Sequence, residues 1–353
     1  MDPSSSNFQP RKLIIGSRNS QLAVIQANHI VSLVQDANPK LKIEVVTMAT
    51  IGDKILDKSL SKLSERTAFT KELEEALEEG EIDAIVHSLK DLPASLPPRL
   101  CIGAVSKREL PYDVFIARKD SGVSCLAELP DGSIVGSSSP RRIAEITRAY
   151  PKIICRSIRG NLNTRLAKLD NPENNFSGII LAAAGVKRLG WEDRITEVLD
   201  DDICYYAASQ GALGVEIRRS DDAIASLFHR VCDEESIIRC ICERAFVGTL
   251  SGGSSAAVGV KTSYDTNKKD LKIQGKVLSY DGARLVEDKL ETNILSFNDT
   301  VDCALTDFKI SAVPLNLQKA AFCLGTSLAN ILLHNGADSL LKEAKMKNLE
   351  DVN

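Results

Sequence analysis

Six arginines, Arg18, Arg141, Arg142, Arg159, Arg165 and Arg188, stand at or just after points where a short apolar run gives way to a helix-period segment. A guanidinium is a planar fork that meets a carboxylate with two parallel hydrogen bonds, and the start of a helix adds unpaired N–H groups and partial positive charge. If the six converge, their natural guest carries several carboxylates. Each arginine alone also has an ordinary reading, a surface cation paired with a neighbouring acid, and it is the repetition at equivalent places that argues for one cleft. Small hydroxyl residues accompany them, Ser20 in Gly16-Ser17-Arg18-Asn19-Ser20 and Ser138 and Ser139 in Gly136-Ser137-Ser138-Ser139.

A second constellation is Ser88-Leu89-Lys90-Asp91-Leu92-Pro93, a cation and an acid set between an apolar strand and a proline. Lys90 suits an acid group of a ligand. Two readings stand for Asp91: in a cleft, a lone carboxylate stabilises a developing positive charge or moves a proton, whereas before a proline it caps a turn. Gln210-Gly211-Ala212-Leu213-Gly214 sets small residues beside an amide, which lets backbone approach a ligand or another strand closely. No metal site is expected, because His29, His87, His229 and His334 are scattered and Cys240 and Cys242 point apart in a helical pattern, as core thiols do. Neither Gly-x-x-x-x-Gly-Lys-Ser/Thr nor Gly-x-Gly-x-x-Gly occurs, so nucleotide binding has no motif behind it.

These residues need elements to hold them, and the first two-thirds of the chain repeats one local grammar: a β-branched apolar run, a Gly/Ser/Arg turn, then a helix-period segment. Strands are expected at 12–15, 43–48, 82–86, 133–135, 153–158 and 179–181, and helices over 21–35 and 70–79, after Pro140, from Asn161 to Leu169 and around Lys187-Arg188. Proline suits a first helical position because it has no N–H to lose. Such alternation implies sheets covered by helices, with ligands collecting at the carboxyl ends of the strands. From about residue 236 the pattern changes to a helix over 236–250, a Ser/Gly loop, alternating strands around a Tyr280-Asp281-Gly282 turn and a final helix over 317–333, which reads as antiparallel α+β.

Composition bounds the rest. At 353 residues and 38.3 kDa, with 43% hydrophobic and 26% charged residues, the chain reads as two or three globular domains. With 44 Lys+Arg against 48 Asp+Glu, a net charge of −4 leaves no molecule-wide positive field for nucleic acid or anionic lipid, so any anion site is local. Nine cysteines in odd number without C-x-x-C spacing read as thiols of a reduced, cytoplasmic protein. Met1 to Pro10 has no signal-like pattern, and the weakly charged run 320–337 is interrupted by Gly325, Asn330 and Asn335, so no membrane span is expected.

In order along the chain stand Gly-Ser-Arg-Asn-Ser-Gln-Leu-Ala from Gly16, Gly-Asp-Lys-Ile-Leu-Asp from Gly52 and Phe-Thr-Lys-Glu-Leu-Glu from Phe69. After them come His-Ser-Leu-Lys-Asp-Leu-Pro from His87, Arg-Ser-Ile-Arg-Gly-Asn-Leu-Asn-Thr-Arg-Leu from Arg156 and Gln-Gly-Ala-Leu-Gly from Gln210. This series resembles the hydroxymethylbilane synthase family, also called porphobilinogen deaminases, from about Lys12 to the C-terminal helix. The resemblance implies a monomer of two periplasmic-binding-protein-like α/β domains and a smaller C-terminal α+β domain with an antiparallel sheet. Domain 1 would span 11–108 and 209–232, domain 2 109–208, and domain 3 233–353. It implies head-to-tail condensation of four porphobilinogen units with release of ammonia, giving hydroxymethylbilane for haem. The six arginines would then hold acetate and propionate groups, Asp91 would stabilise the pyrrolic cation, and Ser20, Ser88, Lys90, Ser138, Ser139 and Gln210 would line the cleft.

The resemblance also implies a dipyrromethane cofactor on a loop cysteine, where this chain reads Gly252-Gly253-Ser254-Ser255. Ser254 stands at the cysteine position, and a hydroxyl is a weak nucleophile without an activating base. Further departures are Ser64-Glu65-Arg66-Thr67-Ala68 before Phe69, Pro140 before the arginine pair, Ser209 before Gln210, and Ala257 in place of a proline. An alternative expectation follows from Ser254: a noncatalytic homologue that binds pyrrole or linear tetrapyrrole carboxylates.

Overall fold

The computed structural model describes residues 12–50, 70–250, 256–296, 305 and 307–350. The first sheet starts from β1 (Leu13–Arg18), whose LIIGSR sequence is largely buried. β2 (Ile43–Met48) and β3 (Ala84–Ser88) flank it in parallel, and β10 (Leu213–Arg218) runs antiparallel between β3 and β4 (Leu100–Val105), giving the order β2-β1-β3-β10-β4. Helix α1 (Gln21–Ala37) is N-capped by Ser20, whose Oγ accepts from the Ala23 N–H at 3.3 Å. Helix α2 (Lys71–Glu79) stops at Gly80 in the left-handed conformation.

The second sheet has the order β7-β6-β8-β5-β9, from β5 (Asp113–Ala117), β6 (Ile134–Gly136), β7 (Ile154–Arg156), β8 (Gly178–Ala182) and β9 (Glu197–Leu199). Its helices are α3 (Pro140–Ala149), α4 (Leu162–Asp170) and α5 (Ala183–Arg188). β7 stops short of the expected Ile158, because Ser138 Oγ accepts from the Ile158 N–H at 3.0 Å and pulls that segment out of the ladder. In each sheet the antiparallel strand is the one the chain supplies on crossing over, β10 in the first and β5 in the second.

The two crossings lie against each other. Gly211 has φ of 94°, and a Cβ there would stand 2.3 Å from the Glu109 carbonyl oxygen, so only glycine lets the segments pass. Arg108 Nε donates to the Gln210 carbonyl at 2.8 Å, and its guanidinium makes a bidentate pair with buried Glu243 at 2.6 and 3.0 Å. Glu243 also accepts from the Ser209 N–H at 2.6 Å and from Thr262 at 2.5 Å. Both crossings are thereby tied to the C-terminal region.

That region follows α6 (Asp222–Leu227) and begins with α7 (Glu234–Thr249). Its sheet of β11 (Ala257–Asp265), β12 (Asp270–Leu278) and β13 (Leu285–Asn293) is antiparallel throughout, with the expected turn at Tyr280-Asp281-Gly282. α7 packs on α8 (Leu315–Leu332), followed by α9 (Asp338–Glu350). Cys323 on α8 is disulfide-bonded, which corrects the expectation that all nine cysteines are thiols. Among the described residues, no helix is long and apolar enough to cross a membrane.

Candidate active site

The carboxyl ends of the strands of both sheets open onto a cavity of about 790 Å³. From the first sheet come Arg18, Ser20, Ser88, Lys90 and Asp91; from the second come Ser138, Ser139, Arg141, Arg142, Arg159, Arg165 and Arg188; Gln210 enters from the returning crossing. Every candidate residue within the described part of the chain therefore lines one hollow. Ser254, the expected cofactor-attachment position, lies outside the described residues, as do the motif from Gly52, Phe69 and the departures at 64–68.

On the first wall, β3 passes directly into a single 3-10 turn, Leu89–Asp91, which turns Lys90 and Asp91 to the cavity while Leu89 enters the core. The Leu89 N–H donates to the Ala212 carbonyl at 3.0 Å. Arg244, on α7, donates to the carbonyls of Leu92 at 3.3 Å and of Pro93, so a buried guanidinium holds the far end of the same turn. Sequence reasoning missed Arg244, which also lines the cavity, because it sits inside a helix and carries no strand-end signal. Lys90 Nζ donates to Gln210 Oε1 at 3.1 Å, and Gln210 Nε2 donates to Asp113 Oδ1 at 2.9 Å and to the Pro111 carbonyl at 2.6 Å. The amide of Gln210 thus orients the lysine, a role beyond the small-residue approach expected of that motif. Burial, and then the like charge of Arg142, lower the Lys90 pKa to about 8.

The second wall is more cationic. Arg141 and Arg142 line the cavity from the start of α3, where both are buried and share Asp113: Arg141 Nη2 reaches Oδ2 at 2.8 Å and Arg142 Nη2 reaches Oδ1 at 2.7 Å. Arg141 also donates to the Tyr205 carbonyl, and Arg142 to the Ile180 carbonyl at 3.1 Å. Burial pushes the Asp113 carboxyl up, but Arg141 and Arg142 outweigh it and hold it well below the usual carboxylate range. Ser138 is likewise engaged, its Oγ bridging Ser157 and the Ile158 carbonyl at 2.8 Å each.

Arg159 and Arg165 flank the start of α4, which Asn161 caps by accepting from the Thr164 N–H at 2.9 Å. Arg165 Nε donates to the Gly160 carbonyl at 2.8 Å. At the end of α5, Arg188 Nη2 donates to the Gly211 carbonyl at 2.7 Å, which ties this wall to the crossing. Burial lowers the Arg188 pKa to about 10, with Glu109 opposing. Among the described residues, no group of three His, Cys, Asp or Glu side chains is placed to hold a metal ion.

The geometry defines a class first: a doubly crossed α/β protein whose two sheets face a shared cation-lined cleft, with a carboxylate of its own inside. The model "Porphobilinogen deaminase, dipyromethane cofactor binding domain" matches residues 13–226, and "Porphobilinogen deaminase, C-terminal domain" matches 237–306. A porphobilinogen deaminase of Dictyostelium discoideum is 40% identical over 344 residues, covering 96% of this chain and 98% of that protein. One from Saccharomyces cerevisiae is 37% identical, covering 97% and 99%, and one from Gloeobacter violaceus is 46% identical, covering 78% and 83%. Among solved structures, the methionine binding protein MetQ is similar over 63% of this chain and 91% of its own, at 14% identity and a TM-score of 0.39.

The chain belongs to the porphobilinogen deaminase family. It is a transferase of porphyrin and tetrapyrrole biosynthesis with the hydroxymethylbilane synthase reaction, and its first matched region is a dipyrromethane cofactor-binding domain. These comparisons lend no support to the noncatalytic alternative, which rests on Ser254 alone.

Proposed function

We propose that the cavity between the two sheets is where four porphobilinogen units are joined, with Asp91 as the catalytic carboxylate and Arg18, Lys90, Arg159, Arg165 and Arg188 as the cations that hold acetate and propionate groups. The observation that carries this reading is that the exposed Asp91 shares one hollow with cations from both walls. Each unit brings two carboxylates, so a growing chain needs several fixed cations. Charge-assisted hydrogen bonds to such groups are about twice as strong as neutral ones.

The residues fit a dipyrromethane as well: its two rings carry four carboxylates, and the cavity has both the cations and the volume for them. When bound, that group supplies the primer from which the product grows, with Ser254 at its attachment position. Asp91 faces the positive charge that spreads over the substrate pyrrole as its C–N bond breaks, which is where a fixed carboxylate lowers a barrier most. Arg141 and Arg142, already engaged by Asp113, set the charge and shape of the second wall and present the start of α3. Ser20, Ser88 and Ser139 supply neutral hydrogen bonds between the charged groups. The same reading makes the protein a cytoplasmic monomer without nucleic-acid or membrane partners, in keeping with its net charge of −4.

The test is hydroxymethylbilane formation from porphobilinogen by purified protein, together with its intact mass. A mass increment that survives denaturation marks a covalently linked cofactor, assigned to Ser254 if Ser254→Ala lacks it, and an increment lost on denaturation marks one held by the cations. Turnover by an enzyme that carries no dipyrromethane in either form contradicts the role given to Ser254 and its cavity.

A further inference from the structure

The C-terminal sheet buries a lysine. Lys276, on β12, is 8% exposed, and lysine is almost never buried without a partner. Its partner comes from the second wall: Nζ lies 3.0 Å from Oε1 of Glu145 on α3, and 3.9 Å from the centroid of the Tyr205 ring. Opposite Lys276 in the ladder stands Gly259 of β11, where a Cβ would come within 2.9 Å of that same carboxylate oxygen and 2.8 Å of Tyr205 Cβ. The absent side chain is the opening through which Glu145 meets the sheet. Glu145 is 2% exposed, and it also accepts from the Tyr205 N–H at 3.2 Å and from the Cys204 thiol.

One turn back on the same helix, Arg141 stands between two carboxylates. Its Nη2 is 2.8 Å from Asp113 Oδ2, whereas Nη1 is 3.6 Å from Glu145 Oε2, too far for a hydrogen bond. Ion pairs thus run unbroken from Arg142 through Asp113, Arg141 and Glu145 to Lys276, three cations against two carboxylates. With Lys276 removed the series would be neutral, and Glu145 would draw on Arg141 alone. Burial pushes the Cys204 thiol well up, so it adds no charge, and Glu287, across from Lys276 on β13, is exposed to screening by solvent.

Resting on the reading of the cavity above, we propose that Lys276 is a positioning residue of the second wall. By engaging Glu145 it leaves Arg141 to Asp113 and keeps the buried series net positive, so the C-terminal sheet sets how tightly the cavity holds the carboxylates of its guest. Lys276 itself touches no substrate. It acts through Glu145 on Arg141, which lines the cavity.

The experiment compares variants that break one pair but change the charge in opposite directions, with kinetics read at about pH 8, well above the ordinary carboxylate range. Lys276→Met should raise KM for porphobilinogen about five- to tenfold and leave kcat within about twofold, the scale of one unit charge withdrawn from near a charged guest. Lys276→Arg should keep the wild-type KM. Glu145→Gln, which removes the anion instead, should lower KM about two- to fivefold, and combining it with Lys276→Met should return KM to the wild-type value. A pair that only fastens the C-terminal sheet to α3 gives another pattern: the urea midpoint falls in both single variants while KM stays put or moves the same way in both, and that result overturns the proposal. Glu145→Gln keeps the side chain's shape and its acceptor for the Tyr205 N–H, so the sign of its effect decides the matter even where Lys276→Met does not fold. A wild type that consumes no porphobilinogen removes the cavity reading and this inference with it. Normal wild-type turnover with an unmoved KM in Lys276→Met removes the role of Lys276 alone.

Discussion

The two walls of the cavity are built from the same βα units yet differ in charge. The first sheet contributes Arg18 and Lys90 with an exposed Asp91, while the second contributes five arginines, two of which share Asp113, a carboxylate buried behind the surface. The difference separates two tasks. Placing a carboxylate on the lysine's wall, opposite the arginines, gives a cationic intermediate one anionic neighbour while the guest's own carboxylates are drawn to the other side. Asp113 lets the second wall pack two guanidiniums side by side without mutual repulsion exposing them to water.

Breaking the first wall should have the largest effect. Asp91→Asn is expected to lower kcat by about 10²–10³-fold with KM for porphobilinogen little changed, since the lost interaction belongs to the transition state. Breaking the buried support of the second wall acts on stability instead: Asp113→Asn removes the carboxylate that two buried guanidiniums share, leaving Arg141 with Glu145 at 3.6 Å, and should cost about 3–5 kcal/mol, read in urea unfolding. Because the Asp113 pKa is depressed in the fold, its contribution is present above the ordinary aspartate value of 3.8 and lost as pH falls below it, so wild type and variant should converge in acid.

Smaller changes sharpen the contrast. Arg165→Gln removes a charge-assisted contact and should raise KM about tenfold to a hundredfold while kcat moves less. Lys90, with its pKa near 8, loses its ammonium as pH rises, so kcat/KM should fall above pH 8 in the wild type. Lys90→Arg should flatten that limb. Ser138→Ala, whose hydroxyl is spent on Ser157 and Ile158, should change KM less than twofold and shift the melting temperature by a few degrees, about what one neutral hydrogen bond is worth.

The convergence of the arginines was legible because strand-end positions are a local signal: a β-branched run, a Gly/Ser turn and a helix start place a residue at the cleft before tertiary contacts are known. The C-terminal hairpin was legible for the same reason. Three features were not. β10 begins inside the small-residue stretch Gln210–Gly214, which raised no expectation of a strand, and its place between β3 and β4 depends on a chain crossing that leaves no local mark. Arg244 is an arginine within a helix, indistinguishable in sequence from a surface cation until α7 is packed on the Leu89–Asp91 turn. The sharing of Asp113 by Arg141 and Arg142 joins residues 28 and 29 positions apart, and an Asp at the start of β5 carries no sign of it.

The most direct measurement is single-turnover consumption of porphobilinogen by purified wild-type protein beside Asp91→Asn, with binding of the substrate followed in parallel. Retained binding and a chemical step slowed by at least about 10²-fold in Asp91→Asn is the predicted result. Equal rates in the two proteins would contradict a cavity in which this carboxylate faces the developing charge.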